Sequence, residues 1–320
     1  MPANTQFRHK LDDRDQGKKL EDILRGRYHF SRKLIQRLKN AGAVRLDGEP
    51  SYLTTRGRGG QIMDVDLFEP EEPTLEPEDL PLDILYEDEF YLALNKPPGQ
   101  IVHPVGPHVR GTMANAVAGY WQKKGESRLF RPVFRTDRDT SGVILVAKNR
   151  YAHQQLSVLS EKQKVEKIYL GVVQGQLPQT NQTGVLDMPM RPKAGSKILQ
   201  EIHPQGKPAR TEYRVLACDG QHTLVEFRLL TGRTHQIRVH CQAIGHPLAG
   251  DTLYGGSADL FIRQALHAYL YAFCHPFTQE NLIVKAPIAK DLLCVDLFEA
   301  QGLGEGAREK GTGVRLGRRG

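Results

Sequence analysis

The chain has 320 residues, 39% of them hydrophobic and 25% charged, with a mean hydropathy of -0.47, a net charge of +7 and a pI near 9.2. That length holds one large domain, or a medium domain beside a small one, with enough chain to bury a core. No apolar run approaches the roughly 20 residues that span a bilayer, and MPANTQFRHKLDDRDQGKK (1–19) has no apolar segment behind its charges, so no secretory signal is expected. Cys218, Cys241, Cys274 and Cys294 lie far apart without a CxxC pair, which reads as free thiols in a reducing cytoplasm, not as a disulfide framework or a zinc site. The basic balance favours a polyanionic partner.

In chain order, residues 1–14 are expected to be flexible. Residues 1–68 carry fourteen Lys/Arg against nine Asp/Glu. GKKLEDILRGRYHF places Leu20, Ile23 and Leu24 on one helical face, and Ser31 caps a second predicted helix, RKLIQRLKNAG, that exits at Gly42. Leu34, Ile35 and Leu38 form its apolar stripe, leaving Arg32, Lys33, Arg37 and Lys39 for solvent or phosphate. AVRLDGEP then alternates Val44 and Leu46 before Asp47-Gly48, a hairpin signal. Helix, basic helix and AGAVRLDGEP together resemble the small S-four-like RNA-binding domain over residues 15–68, although RGRGGQIMDVD has Gln61 where that pattern usually has an acid. The resemblance implies that the second helix lies against RNA backbone.

EPEEPTLEPEDLPLD (69–83) has seven acids, no base and four prolines, and reads as an extended linker. From 84 to 300, the runs YLALN, GVILVA, IYLGVVQG, TEYRVLACDG, HTLVEFRLL and NLIVKAP are strand-like, while AHQQLSVLSEKQ (152–163) and ADLFIRQALHAYLYAF (258–273) have helical spacing. Strands outnumber helices, so the fold class is α+β, with a mixed, mainly antiparallel sheet in the larger domain and a small N-terminal α/β domain. The Gly-rich, basic stretch 301–320 is too poor in apolar residues to offset its ordering entropy and is expected to be disordered.

Four stretches of the larger domain carry possible chemistry. LNKPPGQIVHPVG (94–106) is a rigid Pro/Gly turn after Lys96, read as a structural loop. FRTDRDTSG (134–142) crowds Asp137 and Asp139 together with Arg135 and Arg138. Alone it reads either as an Asx-type surface turn or as a carboxylate held ionised by its neighbours. DRDT also resembles the opening of aspartate-nucleophile phosphatases, but that motif places its strand before the first acid, and here the strand follows. Lys167 and Tyr169 in EKIYLGVVQG share one face of a strand, where the tyrosine either stacks on a base or caps a core. In LLTGRTHQIRVHCQAIGHPLAGDTLYG (229–255), Arg238 and His240 alternate with Ile237 and Val239, which predicts a strand from which Arg238 points toward an acceptor. His235, His240 and His246 lack the spacing of a metal site, so no metal is expected.

Taken in order, FRTDRDTSG, KIY, GKPARTEYRVL, TGRTHQIRVH, GHPLAGDTLYG and ALHAYLYAFCHP resemble the RluA/RluD-type pseudouridine synthase family across residues 84–300. The resemblance implies a sheet domain with a central cleft, an essential aspartate at Asp137, and an arginine, Arg135, that fills the space of a flipped-out base. It further implies that Tyr169 stacks on the target uracil and that Arg238 pairs with Asp137. Phe134 and Thr136 stand where histidine and leucine are usual. The implied reaction converts uridine to pseudouridine without redox change, so no cofactor is expected. The implied partner is RNA, ribosomal before transfer RNA, acted on by a cytoplasmic monomer with no membrane association. The alternative from another class is a catalytically inactive RNA-binding protein that serves ribosome assembly.

Overall fold

The computed structural model describes residues 6–67, 75–177, 183–196, 198–303 and 313–316. It begins with a strand, β1 (Gln6–Lys10), where the sequence suggested a flexible end. The reason is its partner: β1 pairs antiparallel with β4 (Ile62–Asp66), so Phe7 and His9 are buried. Between them come α1 (Leu20–Tyr28), α2 (Arg32–Ala41), β2 (Val44–Leu46) and β3 (Glu49–Pro50), and the sheet order is β1-β4-β2-β3. The Ser31 hydroxyl accepts the Leu34 amide at 3.2 Å, and Gly42 closes α2 in the left-handed region. Asp47 and Gly48 both have positive φ, 53° and 89°, as a two-residue hairpin loop requires.

Residues 69–74 of the expected linker lie outside the described residues. The remainder, 75–83, is extended but docked. The Glu78 amide donates to the Asn115 carbonyl, and Asn115 Nδ2 donates to the Glu76 carbonyl. Those contacts hold it on α3 (Met113–Lys123), a helix that the sequence reading did not identify.

β5 (Ile84–Glu87) and β6 (Tyr91–Lys96) open the main sheet before α3. After it come β7 (Ser141–Ala147), α4 (Arg150–Glu161), β8 (Val165–Gln174), β9 (Thr183–Asp187), β10 (Met190–Pro192), β11 (Gln200–Ile202), β12 (Arg210–Cys218) and β13 (His222–Leu229). The chain closes through α5 (Gln236–Ala243), β14 (Leu266–Cys274), β15 (Asn281–Lys285) and β16 (Gly313–Leu316). The sheet runs β5-β6-β7-β14-β8-β13-β12-β9, with β15 on β14 and β16 on β15. Every pair in it is antiparallel except β7 and β14. The fold is therefore the α+β class expected. The pairing of 313–316 corrects the expectation of a disordered tail at those four residues; 304–312 and 317–320 lie outside the described residues.

Two segments differ from their sequence patterns for the same reason. Residues 266–274 form a strand where helical spacing was read, because β14 is central and covered on both faces, and an apolar run of this kind has no diagnostic period. Residues 236–243 form α5 where alternation suggested a strand. All of Gln236 to Cys241 is buried, polar residues included, so the alternation did not mark a wet and a dry face.

β7 is buried along its whole length. Ile144 and Val146 pack with Met113, Val117 and Trp121 of α3, while Val143 and Leu145 join the core cluster of Tyr151, Ala152 and Leu156 from α4. The N-terminal unit rests on that second layer. The Tyr151 hydroxyl donates to the Tyr28 carbonyl, the Phe30 and Tyr151 rings lie 3.9 Å apart, and Phe7 meets Phe277 at 6.0 Å.

Candidate active site

The segment before β7 turns tightly at Asp137, whose carbonyl accepts the Thr140 amide at 3.2 Å. Two buried cations pin the next two carbonyls. Lys96 Nζ donates to the Arg138 carbonyl at 2.7 Å, and also to the Pro97 and Gln100 carbonyls at 2.8 and 3.1 Å. Arg263 Nη1 donates to the Asp139 carbonyl at 2.8 Å, while Asp291 grips the same guanidinium at 2.6 and 3.0 Å. Burial, followed by the nearby Arg263 charge, pulls the Lys96 pKa from 10.5 to about 7, with Asp139 and Asp137 opposing. The turn is thereby fixed by main-chain contacts, which leaves the Asp137 side chain free to face the site. Its neighbour Asp139 is paired on the surface with Arg138 at 3.1 Å.

Asp137 Oδ2 accepts from Arg238 Nη1 at 3.1 Å, a contact between residues 101 positions apart. Arg238 is held from behind: its Nε and Nη2 each donate to Asp251 at 2.7 Å, and Asp251 is 1% exposed. Burial disfavours the charge on Arg238, but Asp251 and then Asp137 more than offset it and raise its pKa. The guanidinium also lies 5.0 Å from the Tyr254 ring. His235 Nε2 stands 3.8 Å from Asp137 Oδ2, and its Nδ1 is hydrogen-bonded to the Tyr254 hydroxyl at 2.7 Å. His235 takes a left-handed conformation at the start of α5, and the Gln236 side chain braces that turn to Thr231, Arg233 and Arg210. The side chain of Asp137 is 24% exposed, so a carboxylate on a buried ionic frame remains open to a substrate.

The structure brings Arg238 to Asp137 as the sequence reading expected, though from a helix. Tyr169, on β8, is 6% exposed and bonded through its hydroxyl to Tyr271 at 2.9 Å. Arg135 is exposed, and among the described residues nothing holds its guanidinium. The Thr136 hydroxyl is buried without a hydrogen-bond partner among the described residues. Arg32, Lys33, Arg37 and Lys39 are all exposed on α2, in the N-terminal unit. The three histidines weighed for a metal have separate partners: His240 is bonded to Thr211 and the Met188 carbonyl, and His246 to the Gln174 carbonyl.

Sequence reasoning missed Asp251, Lys96, Arg263, His235 and Tyr254. The signal for Asp251 was present, since Arg238 needed an acceptor and GDTLYG supplied an acid flanked by glycine. Lys96 was dismissed with its Pro/Gly turn. Nothing in the local sequence marks Arg263, whose contacts with Asp291 and the Asp139 carbonyl span 28 and 124 positions.

The family profile described as RNA pseudouridylate synthase matches residues 90–243, a span that contains Asp137, Tyr169 and Arg238. An uncharacterized RNA pseudouridine synthase of Bacillus subtilis, YjbO, is 40% identical over 271 residues, covering 83% of this chain and 94% of that one. The ribosomal large subunit pseudouridine synthase D of Vibrio vulnificus is 33% identical over 309 residues, covering 92% and 94%. Among solved structures, human RNA pseudouridylate synthase domain containing 1 shares the fold, with a TM-score of 0.54 at 24% identity over 76% of this chain and 94% of that one. With identity of this order running along nearly the full length of its relatives, the chain belongs to the RluA/RluD-type family of RNA pseudouridine synthases.

Proposed function

We propose that this isomerase acts on uridine in large-subunit ribosomal RNA, with Asp137 as its essential carboxylate. The single observation that carries the reading is the 3.1 Å contact between Asp137 and Arg238, made by a guanidinium whose other edge is fixed on Asp251. The ribosomal assignment draws support from relatives named large-subunit synthases.

The reaction breaks N1–C1′ of the uridine, turns the ring, joins C5 to C1′, releases the C5 proton and leaves a proton on N1. No electrons are gained or lost. An ionised carboxylate begins it, either by attack on the sugar or as the base that starts elimination. Arg238 stabilises that anion in a site from which bound RNA excludes water, where a fixed ion pair is worth more than in solvent.

The target base leaves its stack at a cost of a few kcal/mol. Arg135 fills the gap and the Tyr169 ring receives the uracil, which offsets part of that cost. The exposed bases of α2, in an S-four-like unit, hold RNA backbone while the sheet domain performs the chemistry.

Asp137→Ala is the decisive variant. Pseudouridine formation is expected to vanish while RNA affinity stays within about threefold, since phosphate contacts dominate binding. Retained product would remove Asp137 from its role, and a wild-type protein without isomerase activity would favour the assembly-factor alternative. Mapping pseudouridine in cellular RNA with and without the gene identifies the position modified.

A further inference from the structure

Beside Asp137, three aromatic side chains and a lysine form a cluster of which the mechanism above uses only Tyr169. The Tyr271 ring stands edge-on to Phe134, centroids 5.3 Å apart at 80°, and Lys167 Nζ lies 5.2 Å from the centre of the Phe134 ring. The Tyr271 and Tyr169 hydroxyls are bonded to each other at 2.9 Å, and that is the only hydrogen bond of either hydroxyl among the described residues. Tyr271 is fully buried, and Lys167 and Tyr169 are each 6% exposed.

A bulge builds this arrangement. Along β14 and β8, Ala268 faces Tyr169, but the register shifts between Ala268 and Leu270, so Tyr271 faces Lys167. In a regular ladder Leu270 would take that place and Tyr271 would point to the opposite face. The extra residue therefore delivers a hydroxyl to Tyr169 and a ring edge to Phe134 from one side chain. Phe134 precedes Arg135 directly, and its side chain cannot form the hydrogen bonds of the histidine usual there, so apolar packing and ring contacts hold it.

We infer that Tyr271 is a positioning residue for base flipping, which ties the ring that receives the uracil to the segment that carries the inserting arginine. The inference rests on the roles of Tyr169 and Arg135 under the proposed function. With both anchored on one side chain, the gap-filling and base-receiving groups keep a fixed separation while the nucleotide turns.

Large-subunit ribosomal RNA carrying tritium at uracil C5 tests it, because C5 loses its hydrogen as it joins C1′. Tyr271→Phe keeps the ring and removes the hydroxyl. Its kcat is expected to fall on the order of 10-fold, because the Tyr169 hydroxyl is left buried without a partner. Affinity for the same RNA by filter binding should match wild type, while the unpaired hydroxyl lowers the Tm by a few degrees. The Tyr169→Phe/Tyr271→Phe double variant should be no slower than the slower single variant, since both hydroxyls are then gone. Tyr271→Leu and Phe134→Leu, which open the ring contact from opposite sides, should likewise fail to add.

A Tyr271→Phe enzyme with wild-type kcat overturns the inference, as do losses that multiply in the double variant, or a loss confined to Tm or RNA affinity. Those outcomes leave the function standing if the wild type releases tritium. A wild type that releases none removes the proposed function, and this inference with it.

Discussion

Arg238 has five N–H donors, and two meet Asp251 while a third meets Asp137. Asp251 is thus the residue that decides where the guanidinium points. Asp251→Ala would leave a buried charge without its main partner, at about 3–5 kcal/mol. We expect a lower midpoint in urea unfolding together with loss of turnover. Lys96 predicts a pH dependence whose sign differs between activity and stability. Below about 7 it is an ammonium with one N–H for each of its three carbonyls. Above that pH it loses a donor and turns a lone pair toward an oxygen, so the turn at Arg138 loosens and kcat should decline as pH rises through about 7. Stability responds the other way. Between about 7 and 10.5 the unfolded chain holds the Lys96 proton and the folded one does not, so this group's contribution to stability grows with pH across that window. A kcat profile that falls while the unfolding free energy does not would separate loop anchoring from denaturation. In Lys96→Met the alkaline decline should disappear along with most of the activity.

At the scale of elements, the parallel contact between β7 and β14 positions the turn that carries Asp137. Ser141 and Gly142 face His267 and Ala268, and the Ser141 hydroxyl is bonded to His267 Nδ1 at 2.9 Å and to Arg263 at 3.1 Å. Gly142 has φ 105°, and a Cβ placed there would stand 2.1 Å from the Ala268 carbonyl oxygen. Backbone conformation and space both demand glycine. Gly142→Ala should cost at least about 1–3 kcal/mol in backbone strain alone. It should also separate the strands that bring Arg263 to the Asp139 carbonyl. Circular dichroism melts and tritium release measured on the same preparation would show the two losses together. The same element logic applies to α5, a short helix whose first turn sets His235 and Arg238 on the side facing Asp137.

On the scale of the whole molecule, the N-terminal unit is seated on α4 through Phe30 and Tyr151 and on the β14–β15 connection through Phe7 and Phe277, so the proposed function has exposed bases on one unit and a carboxylate on the other acting on one RNA from fixed places. Salt tests this division. Each phosphate contact contributes about 0.7–0.9 to the slope of log K against log salt. Replacing Arg32, Lys33 and Lys39 with alanine should reduce that slope by about two while leaving kcat at saturating RNA unchanged; an unchanged slope would take α2 out of the RNA interface. Local physics was enough to read much of this protein from its sequence. Amphipathic period marked α1 and α4, period and caps together marked α2, the Asp47-Gly48 pair marked its hairpin, and the crowded charges around Asp137 marked the acid. Those features depend on neighbours within a few positions, which a sequence displays directly. The fates of 236–243 and 266–274 were not legible, because burial over most of their length weakens the contrast between wet and dry faces that makes a period informative. Nor could any short stretch reveal that Asp251 holds Arg238, that Arg263 holds the Asp139 carbonyl, or that a bulge brings Tyr271 under Phe134. Those are contacts between distant segments, and only the folding of the sheet decides which distant groups meet.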